Sequence, residues 1–287
     1  MSRLFAFGLG YSAGTLAARL KDKGWEIAGT ARDQANIERL CAKGYRLARF
    51  AGEPGNREVA KLLQGTTHLL HSIPPGPRGD PVLAHYREEI AALGSLQWIG
   101  YLSTVGVYGD QQGRWVDETK PPAPNSERTE ARVEAEQAWL GFDEETGRPV
   151  QIFRLAGIYG PGRSVFDKLL AGTARRVKKA GQVFSRIHVE DIARVLEASM
   201  ARPRGGAIYN VADDEPAAPD EVVAYAAELL GIPPPPEIAF EDADLSPMAR
   251  SFYEGRRRIG NARIKSELGV KLRYPTYREG LCALLSR

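Results

Sequence analysis

The residues with the most specific chemistry lie near the start of the chain. Gly8-Leu9-Gly10-Tyr11-Ser12-Ala13-Gly14 follows a short apolar run, Leu4-Phe5-Ala6-Phe7, and precedes a helix-like segment. The pattern fits a Gly-x-Gly-x-x-Ala form of the dinucleotide fingerprint. Its glycines permit a tight turn and let the backbone come close to a pyrophosphate. The helix start then offers N–H groups without helical partners and a positive dipole end. The plainer alternative is a strand-to-helix turn that binds nothing. The strand before and the helix after are the context a phosphate cradle needs, so Gly8, Gly10, Tyr11, Ser12 and Ala13 are the expected cofactor-binding residues.

The end of the second strand bears on which cofactor. Folds that bind NAD usually place an acidic residue there for the ribose 2′-hydroxyl. This chain has Thr30-Ala31-Arg32. A guanidinium is a charge-matched, fork-shaped donor for a 2′-phosphate. Thr30 and Arg32 therefore favour NADP, with NAD as the alternative, and Ser72 at the end of the fourth strand joins the same set. Asp33 opposes this reading unless it caps the helix that follows.

The elements that must position these residues alternate along the first hundred positions. Apolar runs at 4–7, 25–30, 45–50, 66–73 and 96–102 read as strands. Between them, Leu16 with Leu20, Ile37 with Leu40, Val59 with Leu62 and Leu63, and Val82 with Tyr86, Ile90 and Leu93 mark amphipathic helices. Continuous apolar strands between amphipathic helices predict an α/β fold with a parallel sheet covered on both faces. Residues 106–125 hold three prolines and read as a long loop. Later segments read as a helix at 126–140, a strand at 150–155, a loop at 157–164, a helix at 165–176, an extended piece at 185–189, a helix at 191–200 and a strand at 207–211. Beyond Asp213 the chain is expected to be helix and loop, broken by Pro233-Pro234-Pro235-Pro236.

Composition narrows the classes of function. The 287 residues are 43% hydrophobic and 26% charged, an ordinary globular mix. With 39 basic against 36 acidic side chains the net charge is only +3, which suggests neither a nucleic-acid nor a membrane surface. Cys41 and Cys282 make no disulfide framework and lack metal-ligand spacing. No metal is expected, and a reducing, cytoplasmic setting is. No apolar run approaches the ~18 to 20 residues of a membrane span. The expected partner is a small-molecule substrate.

Several motifs in order give the chain a resemblance. They are the glycine loop, Leu102-Ser103-Thr104-Val105-Gly106-Val107-Tyr108-Gly109, Arg154-Leu155-Ala156-Gly157-Ile158-Tyr159-Gly160-Pro161-Gly162, Arg186-Ile187-His188-Val189-Glu190-Asp191-Ile192-Ala193, and Tyr209-Asn210-Val211. Over nearly its whole length the chain resembles the short-chain dehydrogenase/reductase superfamily, in the extended branch of NAD-dependent epimerase/dehydratase proteins. Gly260-Asn261-Ala262-Arg263, Glu267-Leu268-Gly269 and Tyr274-Pro275 look like an atypical subgroup of that branch. The resemblance implies a Rossmann doubly wound sheet over 1–212, with 161–184 contributing to a small C-terminal substrate lobe at 213–287. It also implies that Thr104, with Ser103 beside it, faces the reacting group; the plainer role is a strand-end hydroxyl that ties down a turn. Members of this branch can pair through the helices near 86–93 and 127–140, so a homodimer is a further expectation.

The chain departs from the family at one point. Members that move hydride carry Tyr-x-x-x-Lys on the next helix, the tyrosine as acid/base and the lysine to lower its pKa. Here the best alignment puts Arg128 and Arg132 at those positions, on one helix face. An arginine stays protonated, so it can bind phosphate, ribose or carboxylate but cannot take a proton. The competing reading is a solvated charged helix face. Tyr108, Tyr159 and His188 are the candidates to replace the tyrosine, each more often a packing or junction residue. Arg175-Arg176-Val177-Lys178-Lys179 and Arg256-Arg257-Arg258 read either as solvated surface or as a hold on an anionic substrate. Two functions fit these residues: an NADP-dependent oxidoreductase or epimerase/dehydratase with altered acid/base chemistry on an anionic or sugar-type substrate, and a non-catalytic NADP-binding sensor or scaffold.

Overall fold

The computed structural model describes residues 2–53 and 55–286. Its first half runs β1 (Arg3–Phe7), α1 (Tyr11–Lys21), β2 (Glu26–Ala31), α2 (Gln34–Cys41), β3 (Arg46–Arg49), α3 (Arg57–Leu63), β4 (His68–His71), α4 (Pro81–Ala91) and β5 (Trp98–Thr104). A 3-10 turn (Val105–Tyr108), β6 (Trp115–Val116), α5 (Glu127–Thr146), β7 (Val150–Leu155), β8 (Gly157–Tyr159), α6 (Val165–Leu170) and β9 (Arg176–Lys178) follow. The chain then forms β10 (Arg186–His188), α7 (Val189–Met200), β11 (Ala207–Val211), α8 (Pro219–Leu229) and β12 (Glu237–Ala239). It ends with α9 (Pro247–Ser251), β13 (Arg258–Ile259), α10 (Ala262–Ser266) and α11 (Tyr277–Leu285).

Seven strands form one sheet in the order β11-β7-β5-β4-β1-β2-β3. Every pairing in it is parallel. Strand β1 shows why. Successive side chains point to opposite faces, so Leu4 and Ala6 join one core cluster while Phe5 and Phe7 join the other. All four are fully buried, and burying a side chain of phenylalanine size contributes about 1.5–3 kcal/mol. A strand that is apolar on both faces needs helices on both. α1 and α7 cover one face, and α3, α4 and α5 contribute to the other. The expected doubly wound, Rossmann-type sheet is therefore what the chain forms. The strand order reverses between β1 and β4, and the crevice above their carboxyl ends is where such sheets bind ligands.

Differences from the sequence reading have local causes. α5 runs on to Thr146, past the expected end at 140, because Phe142 is buried in the core and Gly147, at φ +66°, supplies the left-handed cap. α6 stops at Leu170, and the chain beyond Gly172 turns into β9, which pairs with β12. The short strands β6, β8, β9, β12 and β13 carry two or three residues each and pair only with distant partners, so periodicity cannot reveal them.

A separate apolar cluster holds the lobe together. Tyr159, Phe166 and Leu169 pack there with Val222, Ala226, Tyr277 and Leu281. Within the expected lobe at 213–287, however, Ile259, Ile264, Leu268 and Val270 pack into the main core beside the sheet. The tail is also stitched to the long loop after β5. The amides of Gln111 and Gly113 both donate to the Arg256 carbonyl at 2.9 Å, and β13 pairs with β6. Among the described residues no helix is long and apolar enough to cross a membrane.

Candidate functional site

The glycine loop is built from below. Gly8 has φ +81°, and a Cβ there would lie 2.9 Å from both the Ser72 Oγ and the Ile73 Cγ1, so glycine is required. The Gly8 amide donates to the Thr30 Oγ1 at 3.0 Å, and the Leu9 amide donates to the Thr30 carbonyl at 2.8 Å. The Ser72 hydroxyl donates to the Phe7 carbonyl at 3.2 Å and to the Gly8 carbonyl. Thr30 is fully buried. Its side chain thus shapes the loop from inside instead of facing a ligand, a correction to the sequence reading.

Gly10 caps the start of α1, and no side chain caps that helix. A Cβ at Gly10 would meet nothing nearer than the Gly8 carbonyl oxygen at 4.0 Å. The space beside the bend is therefore open while the first-turn amides point to it. Those two features fit a diphosphate. Ser12 and Ala13 are buried in the packing of α1 on the sheet, so they would meet such a ligand through backbone alone. The Tyr11 hydroxyl donates to the Pro161 carbonyl at 3.1 Å, and the Arg163 guanidinium lies 5.7 Å from the Tyr11 ring centroid. Tyr11 so links the glycine loop to the loop that leads into the lobe.

At the ends of β2 and β3 two arginines stand side by side. Arg32 is exposed. Asp33 caps α2, its Oδ1 accepting from the Asn36 amide at 2.8 Å. Arg49 pairs in register with Ala31, and its Nε donates to the Arg32 carbonyl at 3.1 Å. The sequence reading missed Arg49. The signal available was a basic residue at the end of the third strand, which gains meaning only once that strand is known to lie beside the second.

The far end of the crevice is reached by β5. The Thr104 Oγ1 accepts from the Gly106 amide at 3.1 Å and caps the 3-10 turn. Thr104 is half-buried, whereas Ser103 and Tyr108 lie inside the protein. Ser103 donates to Glu136, which is held by Arg154 at 2.7 Å with both side chains buried. The Tyr108 hydroxyl donates to the Asn210 Oδ1 at 2.8 Å, the Arg154 guanidinium sits 4.8 Å from the Tyr108 ring centroid, and burial pushes the phenol pKa up. Both side chains are buried and engaged inside the protein, the packing role that the sequence already gave as the more usual one for Tyr108. Tyr159 is buried with its hydroxyl toward the Thr276 carbonyl at 3.5 Å, and burial raises its pKa. His188 caps α7 through its Nδ1, at 3.2 Å from the Glu190 amide.

Arg128 and Arg132 leave the first turns of α5 in different directions. The Arg132 Nη1 donates to the Tyr101 hydroxyl at 2.9 Å and to the Leu102 carbonyl at 3.0 Å, so it is tied to β5. Arg128 is exposed, with its guanidinium 5.2 Å from the ring centroid of Phe252 in the lobe. Beside it Arg257 donates from Nη1 to the Gly109 carbonyl at 2.7 Å. A Cβ at Gly255 would come within 2.4 Å of that Nη1, so the glycine makes room for the guanidinium.

Comparisons with known proteins bear on the fold and the family. The model of the NAD dependent epimerase/dehydratase family matches residues 89–212. Protein YeeZ of Escherichia coli (strain K12) is 30% identical over 288 residues, covering 96% of this chain and 97% of its own. A structure described as that of a functionally unknown conserved protein from Silicibacter pomeroyi is 53% identical with a TM-score of 0.92, covering 100% of this chain and 99% of its own. A dTDP-glucose 4,6-dehydratase from Bacillus anthracis, solved in complex with NAD, shares the fold at a TM-score of 0.80 with 18% identity, covering 100% of this chain and 96% of its own.

Proposed function

Because this chain belongs to the NAD-dependent epimerase/dehydratase family, we propose that it binds NADP along the β1/β4 crevice and takes a small anionic molecule at the far end. The observation that carries the proposal is the open space at Gly10 beside an uncapped helix start. The diphosphate belongs against the first turn of α1. The 2′-phosphate belongs with Arg32 and Arg49, two guanidiniums at neighbouring strand ends where an acid would suit NAD. Bound there, the nicotinamide supplies hydride exchange.

The chain's own residues then bind and orient. A guanidinium only donates hydrogen bonds, so Arg128 can hold negative charge in place but cannot serve as a base, while the Arg132 Nη1 is tied to Tyr101 and Leu102. Thr104 presents a half-buried hydroxyl at the strand end and can orient a carbonyl or hydroxyl of the second ligand. A sugar nucleotide, the kind of substrate in the name of the Bacillus anthracis protein, would bring the required negative charge in its diphosphate. Oxidoreductase or epimerase/dehydratase chemistry on such a molecule needs a proton acceptor, and a water beside Thr104 would have to serve.

A second reading, a cofactor-binding sensor without turnover, has its own support. Ser103, Tyr108, Tyr159 and His188 are all buried and engaged elsewhere, so none of these four stands ready to replace the absent tyrosine. Calorimetric titration with NADPH and NADH, followed by assay of NADPH oxidation against carbonyl compounds and sugar nucleotides, separates the readings. Binding with substrate-dependent oxidation selects the enzyme. Binding without oxidation across the panel selects the sensor. Absence of heat with either coenzyme overturns both.

A further inference from the structure

Away from the crevice, the outer side of the α1–α7 layer carries a groove of about 370 Å³, a volume in the range of small-molecule sites. Arg19 and Lys23 wall it from α1, Arg194 and Glu197 from α7, and Lys271 from the segment after α10. Ala198 and Val270 give it an apolar lining. Arg19 stands eight positions along α1 from Tyr11, about 12 Å of helix, so the groove is not the coenzyme crevice.

Four cations face one carboxylate in this groove, and the carboxylate is already spent. The Arg19 Nε and Nη2 donate to the two Glu197 oxygens at 3.1 and 2.9 Å, and the Lys23 ammonium reaches Oε2 at 3.0 Å. Positive charge also suits the end of α1, where the helix dipole is negative, so Arg19 and Lys23 have a structural use without any ligand. Arg194 and Lys271 differ. The Arg194 Nη2 donates to the Lys271 carbonyl at 3.2 Å, which fixes the guanidinium beside the residue that carries the ammonium. The Arg194 Nε lies 3.7 Å from the Asp191 Oδ1, beyond hydrogen-bonding range, and has no other acceptor. Asp191 is committed elsewhere, accepting the Arg273 amide at 2.7 Å and the Tyr274 amide at 2.9 Å. Lys271 is exposed and, among the described residues, pairs with no acid within 4 Å.

The Arg194 fork is thus held from behind while 39% of its side chain stays open beside an unpaired ammonium. A phosphate group fits that arrangement. Its oxygens can accept from a guanidinium edge and from an ammonium at once, and its charge offsets two neighbouring cations that have no free acid. We propose that Arg194 and Lys271, with the Lys23 charge beside them, hold a phosphate group, free or carried by a small molecule, in the groove on the α1–α7 layer. The body of such a molecule would lie along Ala198 and Val270. None of the residues assigned to the coenzyme takes part, so the site stands apart from the function proposed above.

The test follows the arginine Nε–H resonances of the full-length protein, labelled with nitrogen-15, in titrations with glycerol 3-phosphate, with inorganic phosphate and, at matched ionic strength, with sodium chloride. The Arg194 signal is assigned by its loss in Arg194→Lys, which keeps the charge. A saturable movement of that signal with a phosphate compound and not with chloride is expected. Lys271→Gln should weaken this binding about tenfold, the scale of one charge-assisted bond. Arg39→Gln, an equal loss of charge on α2, should leave it unchanged. Tighter binding of glycerol 3-phosphate assigns the groove to phosphate esters, and equal or tighter binding of inorganic phosphate assigns it to the free anion. Absence of saturation, the same movement with chloride, or an unchanged titration in Lys271→Gln overturns the site. Calorimetry with phosphate on Lys271→Gln carries the test if Arg194→Lys folds poorly, since Lys271 is exposed. Gly10→Val keeps the conclusions apart. It should lose NADPH and retain the phosphate site, and phosphate binding that vanishes in that variant belongs to the glycine loop and overturns the groove.

Discussion

On the proposed reading, the missing side chain at Gly10 makes room for the coenzyme's diphosphate. A Cβ there would clear the rest of the protein, yet it would stand in the space beside the α1 amides. Gly10→Val is therefore expected to abolish NADPH binding in calorimetry, while costing at most about 1 kcal/mol of stability from the poorer helix cap. On the proposed reading, Arg32 and Arg49 separate the coenzymes. Arg32→Asp should weaken NADPH by roughly 1–3 kcal/mol and NADH by much less, the scale of a charge-assisted bond. Equal losses for both coenzymes would remove the 2′-phosphate assignment. These residues differ in how legible they were. The glycine loop and Arg32 are local patterns that a sequence displays by itself. Arg49 and Arg257 acquire meaning only from a neighbouring strand or from a loop more than a hundred residues away, so no spacing rule points to them. Ser103 and Tyr108 sit in the motif, but the hydrogen bond from Ser103 to Glu136 and the packing of Tyr108 against Arg154 hold them inside the protein, which no spacing displays.

Among the elements, α5 and β7 are locked by Glu136 and Arg154, buried with 3% of each side chain exposed. Glu136→Leu would strand the guanidinium and the Ser103 hydroxyl. A loss of about 3–5 kcal/mol of unfolding free energy, read from denaturant melts, is expected. Strand β4 carries a different liability. His68 is packed against Trp25 and Trp98, and burial pushes its pKa down to about 4. The unfolded chain binds its proton near pH 6.5 and the folded chain does not. The contribution is thus complete above about pH 6.5 and is lost as pH falls toward 4, by up to roughly 3 kcal/mol. His68→Phe should flatten the stability profile over that window in urea melts; an unchanged profile would exclude His68 as the cause. The long strands and amphipathic helices were readable because burial on one or two faces imposes a period. The three-residue strands of the lobe carry no period, and α5 outran its expected end because a polar stretch, Asp143-Glu144-Glu145-Thr146, hides one buried phenylalanine.

For the molecule as a whole, ligand binding and folding are linked. If NADPH binds only the folded chain, a hundredfold excess over its dissociation constant adds about 2.7 kcal/mol of stability. Thermal melts should show this for the natural sequence and not for Gly10→Val. The architecture was legible at this scale because alternation of element types fixes a parallel sheet. The division into sheet and lobe was less so, since Ile259, Ile264, Leu268 and Val270 sit late in the chain yet pack in the main core. The backbone seam between Gln111, Gly113 and Arg256, continued by the β6–β13 pairing, has a consequence for traffic through the cleft. A lobe riveted to the body at its tail cannot swing open on a single hinge without tearing that seam. Guests must slip in by local breathing of the side chains and short turns around Phe252, and the amides of Gln111 and Gly113 should keep their protons against deuterium solvent whether or not a guest is aboard.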